Sequence, residues 1–125
     1  MYFIAFCTKC TIMQSAAEIY ALIRQAVLAK DILAVSYRGS VREMCPHMLG
    51  KTKGSAYALV YQFAGESKGG LKRDGSPDNW RCLRLEEISH VAVRKSNGEW
   101  HTASNYSAMQ NCVSEIDVRV EPKAA

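Results

Sequence analysis

The spacing of the apolar residues changes once along this chain, and that change constrains its fold most. The first pattern is a single helical stripe made of Ile19, Leu22, Ile23, Ala26 and Val27. Ser15 stands at the N-cap position of this helix, and Glu18 three residues later completes a capping box. After the helix the apolar residues recur at strand spacing instead. The sequence therefore predicts one helix at 15–30 followed by a mostly β region at 31–121, an α+β arrangement.

Short apolar and β-branched runs, separated by turn residues, make up the β region. They lie at 32–38, 41–45, 56–63, 80–85, 88–94, 99–102 and 113–120. Pro46 is predicted to end the second run because proline donates no hydrogen bond to a sheet ladder. Strands of this number and length can close on themselves, so we predict a small, bent barrel of the SH3 or Sm type with about five to six strands. The chain, 1–125, is interpreted as a single domain in which residues 1–14 form a strand or a packed arm.

The positive charge is concentrated in the middle of the chain. Residues 36–84 carry nine basic and four acidic side chains, whereas residues 85–125 carry four basic and six acidic ones. A basic surface of this kind attracts phosphates or carboxylates by raising their local concentration. An ordinary solvated surface with an excess of lysine is the alternative interpretation.

The cysteines and the missing motifs restrict the function class. Five cysteines without framework spacing favour reduced thiols and a cytoplasmic location. Cys7 and Cys10 form one CxxC pair, but a structural zinc site usually needs two pairs, so we predict no metal and no cofactor. No apolar run reaches the roughly 20 residues of a membrane span, so we predict no membrane partner. No nucleophile, phosphate-loop or metalloprotease motif is present, which predicts a protein without enzymatic activity or catalytic residues.

Two arginines occupy unusual positions on predicted strands. Alternation places Arg81 on the same face as Leu83 and Leu85, and it places Arg42 beside Met44. A charged group aimed at a core requires a partner or an anion because unpaired burial is costly. The guanidinium fork suits a phosphate or a carboxylate, but Glu86, Glu87 or Asp78 is an alternative internal partner for Arg81.

Other polar and aromatic side chains extend this candidate site. His47 is predicted to lie in a loop after Pro46, and the sixteen residues between Phe63 and Trp80 are predicted to form a mobile lid because they lack apolar anchors. The full set of predicted ligand-binding residues is Tyr37, Arg38, Arg42, His47, Tyr57, Trp80, Arg81 and Arg84.

The order of these segments resembles a known family. A helix followed by LAVSYRG, VREMCPHMLG, AYALVYQF and WRCLRLEEISHV is similar to the WYL-type ligand-sensing domain of bacterial and phage regulators. The residues that carry the resemblance are Tyr37, Arg42, Pro46, the segment 57–63, Arg81, Leu83, Arg84, Leu85 and Ile88. The chain departs from the family in lacking the Trp-Tyr-Leu triplet and a helix-turn-helix. The resemblance implies an Sm-like barrel that binds negatively charged ligands, among them nucleotides or nucleic acid.

Three functions remain open on the sequence. The first is a non-enzymatic sensor domain for a small anionic or nucleotide-like ligand. The second is a single-stranded nucleic-acid-binding module that stacks bases on Trp80 and the tyrosines. The third is a protein-interaction domain that forms a homodimer.

Overall fold

The computed structural model describes residues 13–67, 70–106 and 112–121. Its elements are helix α1 (Ala16–Ala29) and strands β1 (Ile32–Tyr37), β2 (Ser40–Thr52), β3 (Ser55–Gly65), β4 (Trp80–Arg84), β5 (Ile88–Arg94) and β6 (Glu115–Arg119). The mostly β class with one N-terminal helix is therefore confirmed. The strand or arm predicted at 1–14 lies almost entirely outside the described residues.

Helix α1 begins as its sequence predicts. The Ser15 hydroxyl accepts a hydrogen bond from the backbone N–H of Glu18 at 3.1 Å, and the Glu18 carboxylate accepts one from the backbone N–H of Ser15 at 2.7 Å. This reciprocal capping box satisfies two N–H groups that the first turn leaves unpaired. The helix ends at Lys30, which adopts the left-handed conformation of a C-terminal cap. Its buried stripe, Ile19, Ile23, Ala26 and Val27, faces the sheet.

The six strands form one antiparallel sheet in the order β4-β3-β2-β1-β5, with β6 added beside β2. The predicted closure into a barrel is wrong, because the edge strands β4 and β5 do not pair in the described part of the chain. Strand β2 pairs with β1 through its first half and with β6 through its second. The short 3-10 turn Leu85–Glu87 carries the chain from one edge to the other.

Two local predictions in this sheet are wrong. Pro46 does not end a strand but lies inside β2, where a register shift between Pro46 and Met48 accommodates it. Residues 99–102 form no strand, and the run predicted at 113–120 is shortened to β6. Strand β6 lies so close to β2 that a Cβ atom at Gly50 would collide with the carbonyl oxygen of Glu115.

Both faces of the sheet are covered by buried side chains. The face toward α1 carries the helix-side core, which includes Val35, Met44, Leu49, Val60 and Leu83. The opposite face carries the aromatic core, which consists of Cys45, Met48, Leu59, Tyr61, Trp80, Tyr106 and Val113. Alternation along β3 therefore sends Val60 into one core and Tyr61 into the other.

The cysteines are not all reduced. Cys82 on β4 and Cys112 form a disulfide whose Cα atoms lie 6.0 Å apart, so the prediction of five independent thiols is wrong for these two residues. Cys45 is free and buried, and burial raises the pKa of its thiol to about 11. Cys7 and Cys10 lie outside the described residues, and the absence of zinc stays a prediction. The cytoplasmic location also stays a prediction. It rested on five reduced cysteines, and two of them form this disulfide.

Within residues 13–67, 70–106 and 112–121, no helix has the length and apolar character needed to span a bilayer.

Candidate functional site

The turn between β1 and β2 brings two predicted site arginines to one aromatic ring. Tyr37 is buried at the end of β1, and the guanidinium carbons of Arg38 and Arg42 lie 5.3 Å and 5.0 Å from the centroid of its ring. Distances below about 6 Å permit a cation–π attraction. The Tyr37 ring therefore stabilises the guanidinium groups of Arg38 and Arg42 beside the turn.

The charge of Arg38 is balanced within the protein. The Glu87 carboxylate accepts hydrogen bonds from Arg38 Nε at 2.7 Å and from the Tyr37 hydroxyl at 2.9 Å. These two hydrogen bonds, of which the one from Arg38 has the larger effect, hold the pKa of Glu87 below its ordinary value. Arg84 also has an acidic neighbour, because its Nη2 lies 3.2 Å from Glu86 Oε1. Both arginines thus have internal partners that an anion would have to replace.

Arg42 differs from these two because it is buried without an acidic partner. Only 7% of its surface is exposed, and its Nε donates to the Ser40 hydroxyl at 3.2 Å. Among the described residues it forms no salt bridge with an aspartate or glutamate. A buried guanidinium with a neutral hydroxyl as its hydrogen-bond partner retains most of its capacity for an anion.

Arg81 on β4 is the second arginine without an acidic partner in the described part of the chain. Its Nε and Nη2 donate to the Ser67 hydroxyl at 2.9 Å and 2.7 Å, and its Nη1 donates to the backbone carbonyls of Asp78 and Trp80. Partial burial, followed by the nearby charge of Arg42, lowers the pKa of Arg81. The two guanidinium groups therefore repel each other, and a bound anion would relieve that repulsion.

A cavity of about 520 Å³ lies at this position. Its lining consists of Arg38, Gly39, Ser40, Arg42, Gly65, Glu66, Ser67, Gly70 and Leu71. Ser67 links the cavity to Arg81, which lies behind it. A larger depression of about 630 Å³ follows residues 72–78, but its two basic and two acidic side chains cancel in formal charge. The smaller cavity is thus the better site for an anion.

The loop beside this cavity is anchored, contrary to the prediction from its composition. The Tyr61 hydroxyl donates to the carbonyl of Ser76 at 2.7 Å and accepts from the N–H of Gly75 at 2.8 Å. The buried Asn79 side chain exchanges two hydrogen bonds with the backbone of Lys72, at 2.8 Å and 2.9 Å. Polar anchors replace the missing apolar ones in the described part of this loop.

Three predicted site residues lie on the other face of the sheet. His47 belongs to β2 rather than to a loop and is fully buried, so its predicted loop position is wrong. Trp80 is 6% exposed, and its indole N–H donates to Asn105 Oδ1 at 3.0 Å. Tyr57 packs against the same aromatic core. The structure thus brings together Tyr37, Arg38 and Arg42, with Arg81 close to Arg42. Arg84 is the cross-strand partner of Tyr57, and it reaches this group only through its backbone N–H, which donates to the Tyr37 hydroxyl. His47, Tyr57 and Trp80 lie apart from the arginine pair.

Two hydroxyl groups of the site were missed on the sequence. Ser40 and Ser67 each accept from an arginine, yet their only sequence signal is a position in a turn or a polar loop. Pairing of β2 with β3, which sets Arg42 opposite Gly65, brings Ser67 to the same end of the sheet.

Comparisons with known proteins show the fold alone. No protein-family model matches the chain, and no curated protein matches it. A solved structure that is similar is the proteasome accessory factor B/C (PafBC) of Arthrobacter aurescens, with 20% sequence identity and a TM-score of 0.50. The match covers 79% of this chain but 14% of that chain, so the common fold is a small part of PafBC. It supports the WYL-like fold that the sequence resemblance implied.

Proposed function

We propose that this chain is a non-enzymatic sensor or regulatory domain that binds a small anionic or nucleotide-like ligand. Arg42 and Arg81 supply the positive charge, and the hydroxyls of Ser40 and Ser67 orient their guanidinium groups. The observation that carries the proposal is this pair of arginines, which have no acidic partner among the described residues and lie beside a cavity of about 520 Å³. The likeness to part of PafBC supports the fold that the proposal requires.

The charges around the cavity favour a ligand with at least two negative oxygens. A phosphate or carboxylate accepts two parallel hydrogen bonds from one guanidinium, and a second guanidinium holds another oxygen. Glu66 at the cavity wall opposes an anion, but Arg38 and Arg42 in the same lining leave it with a net positive formal charge. The sequence-based alternative of base stacking on Trp80 has less support, since that indole is buried against Tyr61 and Tyr106.

Replacement of Arg42 tests the proposal most cleanly, because Arg42 makes fewer internal hydrogen bonds than Arg81. We expect Arg42→Ala to weaken the binding of inorganic pyrophosphate by about 10- to 100-fold, the effect of removing one charged hydrogen-bond partner. Isothermal titration calorimetry measures this change. Arg42→Lys keeps the charge but removes the planar fork, and we expect an intermediate affinity.

Arg24→Ala serves as the matched control because Arg24 pairs with Asp117 at 3.1 Å and does not line the cavity. Its affinity for pyrophosphate should equal that of the unmodified protein. The thermal stability of Arg42→Ala without ligand should stay close to the original, since the substitution also removes repulsion with Arg81. Equal pyrophosphate affinities for Arg42→Ala and the unmodified protein contradict the proposal.

A further inference from the structure

One side chain, His101, joins the loop between β3 and β4 to the segment that follows β5. Its Nε2 lies 2.9 Å from Oδ1 of Asp74 in that loop, and its Nδ1 lies 2.7 Å from the backbone carbonyl oxygen of Glu99. The ring also meets the rings of Tyr61 and Phe63 on β3, with centroids 5.5 Å and 5.6 Å apart. The imidazole is therefore held in one orientation between the loop and the sheet.

Both nitrogens of this imidazole face groups that accept hydrogen bonds. The Glu99 carbonyl can only accept, and so can an ionised Asp74 carboxylate, so the geometry is that of a doubly protonated imidazolium. Burial lowers the pKa of His101, but the hydrogen bonds to Glu99 and Asp74 outweigh it, and the net shift is upward. When the ring loses one proton, Nδ1 keeps its hydrogen for the Glu99 carbonyl. The lone pair of Nε2 then faces the Asp74 carboxylate, so an attraction becomes a repulsion.

Several other charged or titratable groups surround the ring. They are Glu99 and Arg94 beside Cys45, His47 on β2, and Lys30 and Glu121, which line a cavity of about 290 Å³ together with His101. Arg94 is already paired with Glu43 and Glu99, at 3.1 Å and 3.0 Å. Burial lowers the pKa of His47 to about 4, so that ring is neutral near pH 7, where His101 changes its charge.

Cys45 adds no nucleophilic function to this pair. Its Sγ lies 4.0 Å from His101 Nδ1, but that nitrogen already donates to the Glu99 carbonyl and cannot take the thiol proton. The sulfur is also buried, and burial raises the pKa of the thiol to about 11. The contact between His101 and Asp74 therefore acts by charge and position and not by covalent chemistry.

The loop segment that His101 holds also positions Arg81. Two residues after Asp74, the carbonyl of Ser76 accepts from the Tyr61 hydroxyl at 2.7 Å. Two residues further on, the backbone carbonyl of Asp78 accepts from Arg81 Nη1 at 2.9 Å. A stretch of five residues thus has His101 at one end and the guanidinium of the anion site at the other.

We propose that protonated His101 is a latch that regulates the arginine site. It holds the segment 74–78 on the sheet, keeps the Asp78 carbonyl against Arg81, and releases this segment when the ring loses a proton. His101 is a positioning residue, because it reaches the anion only through Asp74 and the loop. The inference rests on the proposed anion site, and it adds a dependence on pH that Arg42 and Arg81 themselves do not have.

NMR of the full chain measures the protonation step directly. The ring signals of His101 should titrate with a midpoint above the ordinary value of 6.5. The ¹³Cζ signal of Arg81 should move with the same midpoint, because the loop carries the change to its guanidinium. A His101 midpoint at or below 6.5, or an Arg81 signal that does not follow it, overturns the proposal.

Limited proteolysis measures the latch without any anion. His101→Phe keeps an aromatic ring beside Tyr61 and Phe63 but removes both hydrogen bonds. One pH unit below the His101 midpoint, trypsin should cut after the exposed Lys72 about two- to fivefold faster in this variant than in the unmodified protein, the range for one partly exposed ion pair. One pH unit above the midpoint, the two rates should be equal.

Two further variants complete the proteolysis experiment. Asp74→Asn removes the charge of the partner without changing a ring, so it should cleave like His101→Phe even where that variant is unstable. His90→Gln, at an exposed histidine on β5, should cleave like the unmodified protein at both pH values. Comparison at equal pH cancels the pH dependence of trypsin itself. Equal cleavage of Asp74→Asn and the unmodified protein below the midpoint contradicts the latch.

Sulfate binding tests the link to the arginine site, since sulfate stays a dianion across this pH range. The unmodified protein should bind sulfate about two- to fivefold more weakly one pH unit above the His101 midpoint than one unit below it. Asp74→Asn should show the weaker affinity at both pH values. Saturable binding with the same affinity above and below the midpoint overturns the regulation alone. An absence of saturable binding at either pH overturns the anion site and its regulation together.

Discussion

Lowering the pH from 6.5 to 4.5 should reduce the free energy of unfolding by about 2 to 3 kcal/mol through His47 alone. The pKa of His47 falls from an ordinary value of 6.5 to about 4 in the folded protein, chiefly because the ring is buried. In this pH range the unfolded chain binds a proton at His47 and the folded protein does not. Stability is therefore complete above pH 6.5 and declines as the pH falls toward 4.

The other groups with shifted pKa values change the stability outside the range of pH 4 to 6.5, or they change it in the opposite direction to His47. Burial lowers the pKa of His101, but hydrogen bonds with the Glu99 carbonyl and the Asp74 carboxylate outweigh it, and the net shift is upward. His101 therefore stabilises the fold below its unfolded pKa and loses that effect as the pH rises through its folded pKa, above the window. The pKa values of Glu87 and Asp117 are lowered by their hydrogen-bonded partners, so their contributions are lost only at lower pH.

Urea denaturation at several pH values measures this effect. The unmodified protein should show a slope near 1.4 kcal/mol per pH unit between pH 6 and 5, the value for one proton. His47→Phe should remove most of the slope, whereas His90→Gln should retain it. A slope that is unchanged in His47→Phe would assign the pH dependence to other groups.

Loss of the disulfide should also have a large effect. Cys82 and Cys112 are separated by 30 residues, and a cross-link that closes a loop of this length stabilises a protein by about 3 to 4 kcal/mol in the chain-entropy estimate. The bond joins β4 to the segment that carries Val113, a member of the aromatic core. We expect Cys82→Ser to lower the free energy of unfolding by this amount, as measured by urea denaturation without reductant.

A reductant distinguishes the disulfide from other effects of the substitution. Dithiothreitol should destabilise the unmodified protein by the same amount and leave Cys82→Ser unchanged. A digest without reductant should contain a peptide pair linked through Cys82 and Cys112. Recovery of both residues as free thiols after denaturation without reductant would show that the bond does not form.

The local elements of the fold were predictable, and the long-range ones were not. The capping box of Ser15 and Glu18 and the apolar stripe of α1 are encoded within one segment, so they were predicted correctly. The bulge that keeps Pro46 inside β2 depends on pairing with β3, which local propensity does not encode. The same limitation explains why the disulfide was not predicted, since Cys112 reaches β4 only after the chain folds back over the sheet.

The candidate site shows a similar division. Alternation on β4 correctly placed Arg81 on the face of Leu83, and the apolar neighbours of Arg42 pointed to a buried charge. The partners of Arg38 could not be predicted, because Glu87 approaches through the 3-10 turn between β4 and β5. His47 was misplaced for the same reason as Pro46, and its burial became evident only with the second core.

The arginine Nε–H signals in ¹H–¹⁵N NMR distinguish Arg42 and Arg81, which we propose hold an anion, from the arginines that pair with acidic side chains. Pyrophosphate added at pH 6 should shift the signals of Arg42 and Arg81 with one common, saturable dissociation constant. The signals of Arg24 and Arg94 should stay in place, because these side chains pair with Asp117 and with Glu43 and Glu99. Equal, unsaturable shifts of all four signals, or no shift at Arg42 and Arg81, would show that this arginine pair does not bind an anion.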